Sequence, residues 1–293
     1  MVVADFKLTC IDPIFYRVDD NGRPTIMYPC GKCIVCKEKK RRQWAVRMEN
    51  EKSYSKSVYF VTLTYADEFL YYKYPDCPAS LNKVHYQSFL KMLRRSLDCK
   101  IRIFGVGEYG FESSRPHYHF MIFLPVYVRR HDFYNKVLSA WKYGFVTVKY
   151  GTSSRMYYIA KYTVKGSECP YGTEKPFQTC SQSPPIGYMA FENNKRMLYS
   201  DFSVNYISCP SGRKSSIPRS FENRFKSELD SIPSPDFRRL SKIRKDILQK
   251  RGSAFLRNYL KNFNEIPASE FLEMRNAVIR RYNAKHKHKL NQV

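Results

Sequence analysis

Apolar residues along this chain switch between two periods, and the switches mark out its elements. Val58 to Tyr65 (VYFVTLTY) is rich in β-branched and aromatic residues and predicts a buried strand. His85 to Leu97 places Tyr86, Phe89, Leu90, Leu93 and Leu97 at helical spacing, which predicts an amphipathic helix. Ile101 to Glu108 and His117 to Leu124 read as two strands. The short connection between them, with Gly107, Gly110 and Pro116, is that of a hairpin. Asp132 to Tyr143 predicts a second helix broken by Gly144, Phe145 to Tyr150 a fourth strand, and Tyr157 to Lys165 a third helix that Gly166 can cap. The order strand, helix, strand, strand, helix, strand, helix gives an α+β fold with a central antiparallel sheet flanked by helices.

The pattern weakens on either side of this block. The first 29 residues mix short apolar pieces with turn signals such as Asp19-Asp20-Asn21-Gly22. Between Lys37 and Lys56 eight Lys/Arg stand against three Glu with no Pro or Gly, which predicts a basic helix. Residues 166–220 are loop-rich, with short strands expected at Tyr188–Phe191 and Tyr199–Tyr206. From Arg213 to Val293 the chain carries 20 Lys/Arg and 8 Asp/Glu, and helical periodicity returns between breaks at Pro233, Pro235, Gly252 and Pro267. Three regions are therefore expected: a cysteine-containing basic segment at 1–56, a central domain at 57–212 and a basic helical appendage at 213–293. There is no internal repeat.

Composition narrows the class of partner. Lys and Arg number 51 against 26 Asp and Glu, a formal charge of +25, which predicts attraction to a polyanion. Aromatic residues make up 16% of the chain, and rings beside cations suit single-stranded nucleic acid, where bases stack and phosphates pair. The longest apolar run, Phe120 to Val128, is nine residues with Pro125 inside it, so no membrane span is expected. The N-terminus has no basic flank followed by an apolar run, so the expected compartment is a cytoplasm. Nine cysteines, an odd number without an export signal, argue against a disulfide framework.

Two groups of residues suggest chemistry. His117 and His119 are two apart in a strand and so face the same side, where both imidazoles could hold one metal ion. A lone H-x-H is more often two half-buried histidines, but Glu108 ends the preceding strand and the hairpin brings it alongside. Two imidazoles and a carboxylate suit Mg²⁺ or Mn²⁺ with open positions for phosphate and water, and the ligand set does not exclude zinc. Downstream, Tyr158-Ile-Ala-Lys161 and Tyr162-Thr-Val-Lys165 repeat Y-x-x-K in tandem. On a helix the two tyrosines share a face about 6 Å apart along the axis. A phenol of pKa about 10 becomes a usable nucleophile beside an ammonium or a metal. Either tyrosine alone would be read as an aromatic packing stripe with snorkelling lysines; the tandem beside a metal site reverses that preference.

The remaining candidates bind rather than react. The run containing Lys39, Lys40, Arg41, Arg42 and Trp44 clusters cations beside a ring and is expected to contact phosphates. Cys30, Cys33 and Cys36 could supply most of a structural zinc site, or could be reduced structural thiols. Cys10, Cys77, Cys99, Cys169, Cys180 and Cys209 are all candidates for a fourth ligand, and spacing selects none. His85 and His131 open helices and are expected as cap or surface residues, and His286 and His288 as solvated.

These motifs together resemble the HUH endonuclease superfamily, and within it the rolling-circle replication initiators of microviruses, especially the gokushovirus kind. Phe60 to Tyr65 is similar to the first motif, Arg115-Pro116-His117-Tyr118-His119 to the metal-binding second, and Tyr158 to Lys165 to the two-tyrosine third. Gly107-Glu108-Tyr109-Gly110 resembles the stretch that supplies the carboxylate ligand, and Pro29-Cys30-Gly31-Lys32-Cys33 also looks gokushovirus-like. The first three motifs and the carboxylate stretch lie within residues 60–165, about a third of the chain.

The resemblance implies an HUH (ferredoxin-like) arrangement and a DNA endonuclease acting in the cytoplasm of a bacterial host. Such an enzyme nicks single-stranded DNA at a viral origin through tyrosine attack, forms a 5′-phosphotyrosine, and rejoins the strand later. It implies Mg²⁺ or Mn²⁺ on Glu108, His117 and His119, attack by Tyr158 or Tyr162, and charge stabilisation by Lys161 and Lys165. Arg115 joins Lys39, Lys40, Arg41, Arg42 and Trp44 as an expected DNA contact. A host polymerase would extend the freed 3′-OH. With no G-x-x-x-x-G-K-[ST] loop in the chain, a host helicase would separate the strands. The alternative is a non-catalytic single-stranded DNA-binding or packaging protein.

Overall fold

A computed structural model describes residues 10, 14–18, 24–110, 113–164, 169–200, 206–221 and 223–224. The expected helical appendage from residue 225 onward, with His286 and His288, and Lys165 and Gly166 lie outside the described residues.

The chain forms two compact units, one of them made of Lys40–Leu198 and Val204–Ser227. This unit holds a five-stranded antiparallel sheet in the order β6-β3-β5-β4-β7. Its strands are β3 (Ser57–Tyr65), β4 (Arg102–Tyr109), β5 (Pro116–Leu124), β6 (Gly144–Tyr150) and β7 (Phe177–Cys180). The α+β class expected from sequence is the one found. The other unit contains β1 (Ile14–Val18) and β2 (Pro24–Tyr28), which pair antiparallel. The basic helix α1 (Ile34–Lys52) starts three residues before the expected Lys37 and ends four short of Lys56.

Side-chain alternation gives the sheet two apolar faces. One carries Tyr59, Val61, Leu63, Tyr65, Tyr118, Phe120 and Ile122 and is covered by α2 (Lys83–Leu97) and α3 (Arg130–Ala140). The other carries Phe60, Phe104, Val106, Met121 and Phe123 and is covered by Ala45 and Met48 of α1 and by Met156, Ile159 and Ala160 of α4 (Ser153–Ala160). Because both faces are covered, β4 and β5 read as continuous apolar runs. Helix α2 buries Tyr86, Phe89, Leu90 and Leu93, and the Asn82 side chain caps it by accepting from the Val84 amide at 2.9 Å.

Several expectations are corrected. Tyr188–Phe191 is not a strand but the start of α5 (Tyr188–Ser200). Tyr188 and Phe191, three apart and each 1% exposed, turn to one side and pack with Phe221, which is a helical period in a short window. Of the strand expected over Tyr199–Tyr206, residues 199–200 belong to that helix and 201–205 lie outside the described residues. Pairing begins only at β8 (Tyr206–Ser208), against β9 (Lys214–Ser216). Edge strand β7 falls in the stretch read as loop, its four residues all half-buried and too few to show alternation. His85 is neither a cap nor a surface residue. Its Nδ1 hydrogen-bonds the Tyr65 hydroxyl at 2.9 Å, its ring stacks on Tyr143 at 3.9 Å, and burial pushes its pKa down.

Polar groups on α1 hold the chain after β7 against the sheet. Arg47, Glu49, Asn50 and Glu51 are buried there. Glu51 pairs with Arg102 and accepts from the Gly187 amide at 2.7 Å, Arg47 donates to the Ile186 carbonyl at 2.9 Å, and Glu49 pairs with Arg213.

Gly144 starts β6 with φ +141°, and a Cβ there would lie 2.2 Å from the Ala66 nitrogen and 2.6 Å from the Thr64 oxygen. Gly144→Ala is expected to cost at least about 1–3 kcal/mol from the backbone alone, before any clash is relieved. Thermal unfolding checks this against Gly212→Ala, where φ is +75° but nothing lies within 4 Å, and whose melting temperature should fall less.

Candidate metal and tyrosine site

The site lies at one end of the sheet, on the face covered by α1 and α4. Register places Glu108 of β4 opposite His117 of β5, and His119 of β5 opposite Thr62 of β3. Glu108, His117 and His119 offer ligand atoms within 4.8 Å of one another. The Oε1 of Glu108 is 3.1 Å from Nε2 of His117 and 3.0 Å from Nε2 of His119. Between the histidines, Tyr118 points to the opposite face, where its hydroxyl donates to the Asn82 carbonyl at 2.9 Å.

Both imidazoles are fixed through their other nitrogen. His117 Nδ1 donates to the Arg115 carbonyl at 3.0 Å, and His119 Nδ1 meets the Thr62 hydroxyl at 2.9 Å. A His117 that donates from Nδ1 while neutral presents a lone pair at Nε2 toward a carboxylate oxygen. Two lone pairs at that separation repel unless a proton or cation lies between them. The donor set therefore fits a divalent cation, with the orienting partners such a site requires. Burial alone would raise the Glu108 carboxyl, but the hydrogen bonds to His117 and His119 outweigh it and bring it down to about 2. Burial pushes His119 down, favouring the neutral form that can ligate.

Both tyrosines stand against this cluster. Helix α4 is capped by Thr152, whose side chain accepts from the Arg155 amide at 3.3 Å, and ends at Ala160. The expected helix to Lys165 is thus shorter: Tyr158 is on α4 and Tyr162 in the 3-10 turn Lys161–Thr163. The turn still brings them together, with the Tyr162 hydroxyl donating to that of Tyr158 at 2.5 Å. The Tyr162 ring stacks on His119 at 5.6 Å and Tyr158 meets it edge-on at 6.1 Å. Tyr158 is 37% exposed, so its hydroxyl can be reached from solvent. Lys161 Nζ lies 4.7 Å from the centre of the Tyr158 ring and 5.2 Å from that of Tyr162. Burial, and then the Glu108 charge, push the Tyr162 phenol well up; burial raises Tyr158 too.

The other expected residues are placed variously. Lys39, Lys40 and Arg42 are exposed on α1. Arg41 stacks on the Tyr157 ring at 3.9 Å and donates to the Tyr157 carbonyl at 3.3 Å. Trp44 is half-buried against Phe104 at 4.9 Å, with the Arg47 guanidinium 3.9 Å over its ring. Arg115 pairs with Asp67. Cys30, Cys33 and Cys36 converge, together with Cys10. Sequence reasoning gave no role to the Thr62 hydroxyl or to Phe60, whose ring stacks on His119 at 5.5 Å. The signal for both was the even-numbered face of β3, which the strand pattern already carried.

Comparison with known proteins agrees on the region. The family model for the replication-associated protein ORF2 group matches residues 58–167. Replication-associated protein ORF2 of Spiroplasma virus 4 is 30% identical over 265 residues, 83% of this chain and 82% of that protein. Replication-associated protein VP4 of Bdellovibrio phage phiMH2K is 26% identical over 223 residues, covering 68% and 67% respectively. Replication-associated protein ORF4 of Chlamydia phage 1 is 25% identical over 264 residues, 79% of this chain and 61% of that protein. No solved structure matches the chain. Among the described residues, no helix is long and apolar enough to cross a membrane.

Proposed function

The chain belongs to the family of replication-associated proteins of the microviruses, and from that premise we propose that it starts rolling-circle replication by nicking single-stranded DNA at a viral origin. The observation that carries this reading is the pair of tyrosine hydroxyls set against a carboxylate and two oriented imidazoles.

Glu108, His117 and His119 would hold the metal, Mg²⁺ or Mn²⁺ by the hardness of the donor set. When bound, the ion supplies positive charge to the scissile phosphate and offsets the Glu108 carboxylate that disfavours a phenolate. The oxygen of Tyr158 or Tyr162 attacks phosphorus, the bond to the 3′-oxygen of the preceding nucleotide breaks, and that oxygen leaves as a 3′-hydroxyl. The phenolic proton goes to solvent or to the partner tyrosine's oxygen. The strand is left linked through a 5′-phosphotyrosine, which keeps the phosphodiester's energy, so a 3′-hydroxyl can reverse the step without ATP. Lys161 holds an ammonium beside both phenols and stabilises them as they lose their protons. Lys165 extends that role in this reading. Exposed Lys39, Lys40 and Arg42, with Arg41 and Arg115, would contact phosphates, and Trp44 would border that surface.

The test is incubation with circular single-stranded DNA of the encoding genome, with Mn²⁺ or EDTA, followed by denaturing electrophoresis. A covalent protein–DNA band that needs metal is the expected result. Tight binding with no band on any origin-containing substrate would leave a DNA-binding or packaging protein instead. Thr62 gives a finer check. Thr62→Val removes the hydroxyl partner of His119 at nearly constant shape and is expected to weaken Mn²⁺ affinity about 10- to 100-fold. Calorimetric titration reads this directly, and Thr62→Ser should retain wild-type affinity.

A further inference from the structure

The second group of metal-type side chains lies apart in sequence from the nicking site. Cys10 precedes β1, Cys30 and Cys33 flank the turn after β2, and Cys36 is in the first turn of α1. All four sulfurs lie within 4.8 Å of one another. Cys10 Sγ is 3.5 Å from Cys30 Sγ and 3.9 Å from Cys33 Sγ. We propose that these four cysteines hold one zinc ion as a tetrathiolate, clasping both ends of the N-terminal hairpin to the start of α1.

Three observations carry this. The first is spacing. Zinc–sulfur bonds of about 2.3 Å put the corners of a tetrahedron about 3.8 Å apart, which the measured separations bracket. A disulfide needs sulfurs at about 2.05 Å. An iron–sulfur cluster spreads its cysteines around several irons, whereas four sulfurs this close enclose a single ion. The second is the backbone. The Cys30 amide donates to Cys10 Sγ and the Cys33 amide to Cys30 Sγ, each at 3.3 Å. Amide donors of this kind stabilise thiolates and aim them. Gly31, at φ +72° with nothing within 4 Å of a Cβ position, makes the tight C-x-x-C turn that allows it.

The third is topology. Cys10 and Cys30 are 20 residues apart, and β1 and β2 fill the loop between them. An ion bridging the two closes that loop, as a disulfide would, in a compartment where disulfides are not kept. Lys32 inside the turn and Lys37 just after Cys36 partly offset the double negative charge of a zinc tetrathiolate.

The experiment uses the full chain purified under reducing conditions. Element analysis is done in the His117→Ala/His119→Ala background, so that the nicking site contributes no metal. About one zinc per chain, retained through dialysis, is expected. Cobalt exchanged into the same protein should show intense sulfur-to-cobalt charge-transfer absorption. Cys10→Ser should lose zinc and gain protease cuts within residues 10–30, while Cys77→Ser keeps both properties of the parent. Because Cys10→Ser could fail to fold, the cobalt spectrum of the parent decides independently. Absence of zinc, iron in its place, a cobalt spectrum without sulfur ligation, or a Cys10–Cys30 disulfide by non-reducing mass spectrometry would each overturn the proposal. Full zinc retention by Cys10→Ser would do the same. None of these readouts depends on DNA cleavage, so this proposal and the nicking reaction fail separately.

Discussion

Alanine at His117 is expected to reduce metal-dependent nicking by at least about 10²- to 10³-fold, the loss typical of removing a principal charge-stabilising group. DNA binding should survive with its salt dependence unchanged, because the slope of affinity against salt counts phosphate contacts, and those belong to distributed cations. His119→Ala should lose nicking as fully but carries a structural penalty as well. Glu108 is 4% exposed, and His119 is the more buried of its two imidazole partners. Removing it leaves a buried carboxylate half-satisfied, at a cost of about 1–3 kcal/mol or more. His117→Ala is therefore the cleaner probe, and thermal unfolding separates the two effects. Nicking at the wild-type rate by either variant would remove the metal assignment.

The second large effect concerns the tyrosines. Tyr158→Phe and Tyr162→Phe together should leave no covalent protein–DNA product. Both rings keep their packing against His119, and the one lost hydrogen bond is worth about 1 kcal/mol, so the double variant should remain folded. The single variants discriminate further. The hydroxyls are 2.5 Å apart, close enough that a phosphate within reach of one is nearly within reach of the other. If either can begin the reaction, each single variant still forms the adduct. If one is fixed as the initiator, only its own variant loses the band. A covalent product persisting in the double variant would point to another nucleophile.

Much of this architecture could be read before any coordinates, and the reasons are local. The strands from Val58, Ile101 and His117 announce themselves because burial on both faces makes them continuously apolar. The hairpin between Glu108 and His117 follows from its glycines and proline, and it alone sets the carboxylate beside the histidines. What stayed hidden depends on the third dimension. Cys10 was one of six equal candidates until the fold brought it to the other three sulfurs. The early end of α4 at Ala160 leaves no mark in a sequence that remains helix-compatible to Val164. The buried Arg47, Glu49, Asn50 and Glu51 look like a solvated basic face because their partners are carbonyls, amides and a guanidinium more than 130 residues away. Tyr188 and Phe191 mislead for a simpler reason, since a window of four residues cannot tell a period of three from a strand.

Strand β5 divides its side chains between two tasks. Its odd positions, His117 and His119, serve the chemistry, while Tyr118 between them is wholly buried on the far side and bonds Asn82 and Tyr65. The middle letter of the histidine motif is thus the keystone of a different wall. A change there is a lesion in the α2 packing that arrives at the bench disguised as a lesion in catalysis. A single inserted residue would do worse, rotating one histidine out of the site and into the hydrocarbon.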